Sequence, residues 1–184
     1  RGIGKTTYLL HTAISYNKKQ AGSALYVSAD NPFFLTHSLL DVADYLYKET
    51  DTKLLCIDEI HKYSNWEQEL KNIADIYKKI KVLFTGSSMI DIAHSKFDLS
   101  RRVTLHHLGG LSFREYLEFY LGQVIPSVPL QDLITKHIAI ANSLEIKQIL
   151  KHFRSYLKNS YYFFSKELSI ENDKFQAIDN IAKK

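Results

Sequence analysis

The sequence predicts an α/β fold: a parallel sheet layered between helices, followed by a mostly helical C-terminal segment. Three observations predict it. Strand-length apolar runs alternate with helical patterns up to about Leu108, the arrangement of consecutive β-α units. One run, Lys53-Leu54-Leu55-Cys56-Ile57-Asp58-Glu59-Ile60, is almost unbroken in its apolar character before two acids, as suits a strand buried on both faces. Finally, Gly2-Ile3-Gly4-Lys5-Thr6-Thr7 is a glycine-rich basic turn running straight into a helical pattern, as a phosphate-binding loop does. Together they specify a P-loop NTPase core of three layers.

The elements follow in order. The turn leads into a helix through Tyr8-Leu9-Leu10-His11-Thr12-Ala13-Ile14. Ser23 to Asp30 reads as a strand. Asn31-Pro32 starts a turn, and Phe33 to Lys48 is predicted helical, with Leu35, Leu39, Leu40, Ala43 and Leu46 on one face. The acid-ended strand comes next. Trp66 to Lys78 is a helix whose buried stripe is Trp66, Leu70, Ile73, Ala74 and Tyr77. Lys81 to Ser88 is a further strand ending in small polar residues. Met89 to Lys96 is a short helical or loop piece, and Arg101 to Leu108 is the expected last strand. Gly109-Gly110 marks a break. Beyond it, Ser112-Phe113-Arg114-Glu115 carries a capping-box pattern and opens a helix to Leu121. Residues 1–122 are therefore read as the core. Residues 130–184 are read as a helical segment, the truncated start of a lid or a winged-helix-like piece, with the boundary at Gly122 to Pro129 and a fraying end at Glu171 to Lys184.

The full loop pattern is G-x-x-x-x-G-K-[ST]. Gly4-Lys5-Thr6 supplies its end, so its first glycine and the first strand of the sheet are expected upstream of Arg1. Gly2 and Gly4 can take positive φ and let phosphates approach the backbone. Lys5 reaches toward β- and γ-phosphates as a point cation, and Thr6 offers a hydroxyl to Mg²⁺. Gly2, Ile3, Gly4, Lys5, Thr6 and Thr7 are the expected nucleotide-binding residues. Acids at the carboxyl end of a parallel strand sit where open α/β sheets bind ligands. Asp58 is assigned to Mg²⁺ with Thr6, and Glu59 to activation of the attacking water. The alternative is a solvated strand end followed by a helix cap. In Thr85-Gly86-Ser87-Ser88, Ser87 is the first candidate to contact the γ-phosphate or the water, and Thr85 the second; a plain turn is the competing reading.

An arginine from a neighbouring subunit or domain often neutralises charge on a transferring phosphoryl group. Arg102 is the candidate and Arg101 the alternate, against a reading of both as exposed strand-edge cations. Arg114 is expected to pair with Glu118 one turn on. His61 follows the acids and either shapes the site or lies on the surface. His106-His107 are adjacent on an expected strand, point to opposite faces, and are not a metal pair. Lys147, Lys151, Arg154 and Lys158 form a charged helical face, read as solvated before it is read as a nucleic-acid surface.

Composition sets bounds. With 184 residues, 45% hydrophobic and 24% charged, the chain has the balance of a soluble globular protein. Its single cysteine, Cys56, excludes an internal disulfide and fits a reducing, cytoplasmic setting. A net charge of +4 allows nucleic-acid contact without demanding it. No apolar run reaches membrane-span length, no signal peptide is seen, and no Cys/His spacing indicates zinc.

Ile57-Asp58-Glu59-Ile60-His61-Lys62-Tyr63 through Asn65-Trp66-Glu67-Gln68-Glu69-Leu70-Lys71 resembles the "IDEIHK…W…LK" segment of prokaryotic AAA+-type ATPases, the AAA-14 or predicted AAA+ superfamily group. Phe84-Thr85-Gly86-Ser87-Ser88 is similar to that group's sensor strand, and Asp98-Leu99-Ser100-Arg101-Arg102 to its "L-S-G-R" turn, with Arg101 in place of Gly. Leu111 to Leu117 matches "L-S-F-R-E-Y-L", and Phe153 to Leu157 with Tyr161 to Phe164 resembles "F-x-x-Y-L…G-Y-Y-P-F". The resemblance implies ATP and Mg²⁺ as cofactors and a P-loop fold. The expected function is Mg²⁺-dependent ATP hydrolysis. The alternative is an ATP-gated switch or a nucleic-acid- or protein-binding module with little turnover. A small-molecule phosphotransferase is disfavoured by the Asp58-Glu59 pair. A homo-oligomer or a protein partner fits this class, and no membrane is expected.

Overall fold

A computed structural model of the chain describes residues 2–86, 99–122, 124–144, 146–159 and 162. These divide into two compact units, Gly4–His107 and Leu108–Lys184 together with Arg1–Ile3. Ser87, Met89 to Lys96 and the tail from Glu171 lie outside the described residues.

The first unit is an α/β layer structure. Its elements are α1 (Lys5–Lys19), β1 (Ala24–Ser28), a 3-10 turn (Pro32–Leu35), α2 (Leu39–Glu49), β2 (Leu54–Asp58), a 3-10 turn (Ile60–Lys62), α3 (Trp66–Ile76) and β3 (Lys81–Phe84). The sheet is wholly parallel, in the order β1-β2-β3. Register pairs Ser28 with Asp58 and Ile57 with Phe84, so the carboxyl ends of the strands share one edge.

Alternation along β2 sorts its residues between two cores. Leu55 and Ile57 face a cluster with Ala43, Leu46, Leu70 and Ile73 from α2 and α3. Leu54 and Cys56 face the other way, onto Leu9 and Ala13 of α1. Both faces of β2 are buried, which is why its sequence is apolar without a break. Burial in this core pushes the Cys56 thiol up to about 11, so it behaves as a small hydrophobe. Helix α1 is clamped to β1 by Asn17: its Nδ2 donates to the Ala24 carbonyl at 2.9 Å, and its Oδ1 accepts from the Ala24 N–H at 2.9 Å.

Three expectations are corrected. The helix predicted from Phe33 starts only at Leu39. Pro32 opens a 3-10 turn, and Ser38 with Asp41 forms a capping box that sets the real N-terminus. Leu35 is left 85% exposed, outside the apolar face. The stretch Arg101 to Leu108 is not a strand: a 3-10 turn covers Leu99–Arg101, and irregular chain follows. Leu99 and Val103 pack into the α2/α3 core, whereas Leu105 and Leu108 are exposed. Ala74, assigned to the α3 stripe, is also exposed.

The second unit contains α4 (Phe113–Leu121), α5 (Leu130–Ser143) and α6 (Ile149–Asn159). Ser112 and Glu115 form the expected capping box, and Gly122 ends α4 in left-handed geometry at φ 68°. Leu111, Tyr116 and Leu117 are buried against Phe113, Tyr120, Ile125, Ile146 and Tyr156. The Tyr156 hydroxyl donates to the Leu111 carbonyl at 2.8 Å. Glu118 accepts from the Ile125 N–H at 2.9 Å instead of pairing with Arg114. Among the described residues no helix is long and apolar enough to cross a membrane.

Candidate functional site

Strand parity builds the site. On the α1 side of the sheet lie Ala24 and Tyr26 of β1, Cys56 of β2 and Leu83 of β3. Two residues beyond Cys56 and Leu83 the same side is met by Asp58 and Thr85, at the carboxyl edge. Helix α1 begins there, so its first turn meets those side chains.

The contacts are direct. Thr6 Oγ1 donates to Asp58 Oδ2 at 2.6 Å, and Tyr26 Oη donates to the same oxygen at 3.1 Å. The Thr85 hydroxyl donates to Asp58 Oδ1, which also accepts the Glu59 N–H at 3.1 Å. Asp58 is only 4% exposed. Burial alone would raise its carboxyl, but the hydroxyls of Thr6, Thr85 and Tyr26 and the Glu59 N–H together hold it below the usual carboxylate range. The Tyr26 hydroxyl is pushed up to about 12, first by burial and then by the neighbouring Asp58 charge.

The start of α1 is shaped for an anion. Gly4 caps it at φ 90° without a side-chain hydrogen bond, and Gly2 takes φ 71°. No acid lies in the first turn, where helices usually carry one. The first N–H groups and the positive dipole end are thus left without a side-chain cap beside Lys5. Lys5 makes no ion pair among the described residues.

Glu59 takes a left-handed backbone, φ 52° and ψ 42°, a strained conformation for a residue with a Cβ. The Ile60 N–H donates to the Thr85 carbonyl at 2.9 Å, and the Ile60 side chain is fully buried. This fastens the turn after β2 to the end of β3. His61 Nε2 lies 3.3 Å from Glu59 Oε2.

Of the residues expected from sequence, Thr6 and Asp58 are brought into contact, with Gly4, Lys5 and Thr7 in the same helix start and Glu59 next along the chain. Ser87 is outside the described residues, and Thr85, the second choice, meets Asp58. Arg102 is not brought to the cluster. Its Nε donates to Asp75 Oδ1 at 2.8 Å and its Nη2 to Asp75 Oδ2 at 3.1 Å. Asp75 lies in the last turn of α3, which runs from the carboxyl edge of β2 toward the start of β3, so the pair sits at the opposite edge of the sheet. Arg101 is exposed. Sequence reasoning missed Tyr26. Its even spacing from Ala24 placed it on the α1 side, but that signal needs the neighbouring helix to be known.

A metal ion here would meet hard oxygen donors, the Asp58 carboxylate and the Thr6 hydroxyl. Among the described residues no group of three or more His, Cys, Asp or Glu could hold a metal. Hard oxygen donors of this kind fit Mg²⁺, which keeps several waters and takes phosphate oxygens.

A parallel sheet with a glycine-capped, basic helix start beside a strand-end acid defines a P-loop-type nucleotide-binding domain. Residues 1–117 match the AAA_14 family model, described as an AAA domain, and the chain belongs to that family, which is of the nucleotide-binding ATPase type. No curated protein and no solved structure matches the chain.

Proposed function

We propose that this protein binds ATP with Mg²⁺ and hydrolyses it. The observation that carries the reading is the 2.6 Å hydrogen bond from Thr6 to Asp58, which joins the loop helix to the acid-ended strand. Lys5 and the N–H groups of Gly4 to Thr7, with Gly2 and Ile3 preceding them in the chain, bind the phosphates. Mg²⁺, when bound, neutralises charge on the β- and γ-phosphate oxygens. Thr6 and Asp58 would hold it, the Thr6 hydroxyl through a lone pair that its donation to Asp58 leaves free. Tyr26 and Thr85 keep Asp58 ionised and oriented as that happens. Glu59 accepts a proton from the water that attacks the γ-phosphate.

The test uses the full-length protein, with binding and turnover measured separately. Lys5→Ala should weaken ATP binding by about a hundredfold, the loss of one strong charge-assisted contact. Glu59→Gln should bind ATP within about threefold of wild type and lose at least about a hundredfold in kcat. Equal turnover by wild type and Glu59→Gln would remove Glu59 from the chemistry. Tight binding with no multiple turnover by the wild type would favour the ATP-gated switch.

A further inference from the structure

We propose that His61 is a positioning residue for Glu59: its Nε2–H holds Glu59 Oε2 and leaves Oε1 to receive the proton of the attacking water. The inference rests on the ATPase reading above and adds a residue to it.

The turn after β2 makes the pairing. Ile60 is fully buried and its N–H is fixed to the Thr85 carbonyl, so the middle of the turn is anchored inward. The Lys62 N–H closes the turn on the Glu59 carbonyl at 2.9 Å. With the centre pinned, the side chains on either side of Ile60 come together, and His61 Nε2 stands 3.3 Å from Glu59 Oε2. Among the described residues His61 is the side-chain partner of the Glu59 carboxylate, and Oε1 has none.

The state of the histidine supports a built contact. Its Nδ1 is buried and has no hydrogen-bond partner among the described residues. A histidine turned outward would satisfy both nitrogens with water. Here one is left unpaired inside the fold, a penalty proteins seldom accept without return. With the proton on Nε2, the ring would turn a donor toward Glu59 Oε2, 3.3 Å away, and bury a lone pair at Nδ1 rather than an unpaired N–H. The left-handed backbone of Glu59 is a second local penalty in the same turn. Both are explained if the turn aims one carboxylate.

The step balances simply. The water oxygen bonds to the γ-phosphorus and its proton passes to Glu59 Oε1. The bond from that phosphorus to the bridging oxygen breaks, and ADP leaves with the electron pair. His61 exchanges no proton; it limits which oxygen is open and where it points.

Two measurements on the full-length protein test this. In nitrogen-15 imidazole spectra, His61 should show the Nε2–H tautomer, and Glu59→Ala should shift its signals. Unchanged His61 signals in Glu59→Ala would overturn the contact, whether or not the protein hydrolyses ATP. In kinetics, His61→Phe keeps a ring but no donor. It should lower kcat by about 10- to 100-fold, the scale of a misplaced reacting group, with ATP affinity kept within about twofold. His61→Gln, which offers an N–H, should recover most of that loss. In a Glu59→Gln background, His61→Phe should change residual turnover by less than about twofold, because residues acting as a unit are not additive. Wild-type kcat in His61→Phe, or equal impairment of the Phe and Gln variants, would overturn the role. Loss of ATP binding along with turnover would mark His61 as merely structural and overturn it too. A wild type that binds ATP without turnover removes the ATPase reading, and the role built on it, even where the spectra show the pair.

Discussion

Asp58 concentrates the polar chemistry of the first unit, and its environment has a pH signature. Thr6, Tyr26, Thr85 and the Glu59 N–H all donate to it, and they favour its ionised form. A carboxyl held below its unfolded value binds fewer protons folded than unfolded at mildly acidic pH. The stability it contributes is therefore fully present above the unfolded pKa of about 3.9 and is lost as pH falls through the lower folded value. Asp58→Asn should be less stable than wild type by about 1–3 kcal/mol at pH 6, since it leaves buried donors poorly matched. That gap should begin to narrow below about pH 4, as the unfolded wild-type chain takes up a proton at this carboxyl, and should narrow further as pH falls toward the lower folded value. Urea unfolding of both proteins from pH 6 down to pH 3 checks this, and a gap that stays constant would contradict it. Tyr26→Phe removes a single donor and should cost about 1 kcal/mol by the same measurement at neutral pH. Asp58 itself was legible because a strand-end acid after an apolar run is a local pattern. Tyr26 was not, since a tyrosine in a half-buried strand has the same local pattern whether or not its hydroxyl meets a carboxylate. The contact of Thr85 with Asp58 was not foreseen either, because it depends on strand parity relative to α1.

At the level of elements, local signals succeeded where the determinant is local. The Ser112–Glu115 box is written in four consecutive residues, and α4 begins where it says. Ser112 Oγ accepts from the Glu115 N–H at 3.3 Å, and Glu115 Oε2 accepts from the Ser112 N–H at 2.8 Å. Ser112→Ala should therefore destabilise the second unit by about 1 kcal/mol, the usual worth of an N-cap, measured by chemical denaturation followed by far-ultraviolet circular dichroism. The α2 box escaped notice because its third position is Asp41 rather than Glu or Gln, and the apolar pattern runs on through Leu35. The run Arg101 to Leu108 alternates like a strand, yet alternation describes only how a strand would be buried. It supplies no neighbour to hydrogen-bond with, and among the described residues this run pairs with none. The partner of Arg102 was illegible for the same reason. Arg102 is bidentate on Asp75 across 27 positions of sequence, a distance over which no local pattern operates.

At the scale of the whole molecule, the parallel sheet explains why residues far apart in sequence converge. Parallel strands all end at one edge, so the ends of β1, β2 and β3 and the start of α1 collect there, whatever the lengths of the connections. That convergence was legible from the alternation of strands and helices. The individual hydrogen bonds were not, because they depend on register and on the depth at which α1 docks through Asn17 and Ala24. A ligand that binds this edge holds the helix start and two strands together, and it does so only in the folded protein. ATP with Mg²⁺ should thus raise the stability of the protein by about 2.7 kcal/mol at a hundred times its dissociation constant, and the melting temperature should climb further with each increase in concentration. Glu59→Gln should keep this stabilisation if, as proposed, the group removed acts on the water rather than on the phosphates. Lys5→Ala should lose most of it. Thermal unfolding of the three proteins across a nucleotide titration separates binding at the loop from the chemistry beyond it, and a Lys5→Ala protein stabilised as strongly as wild type would place the nucleotide somewhere other than the start of α1.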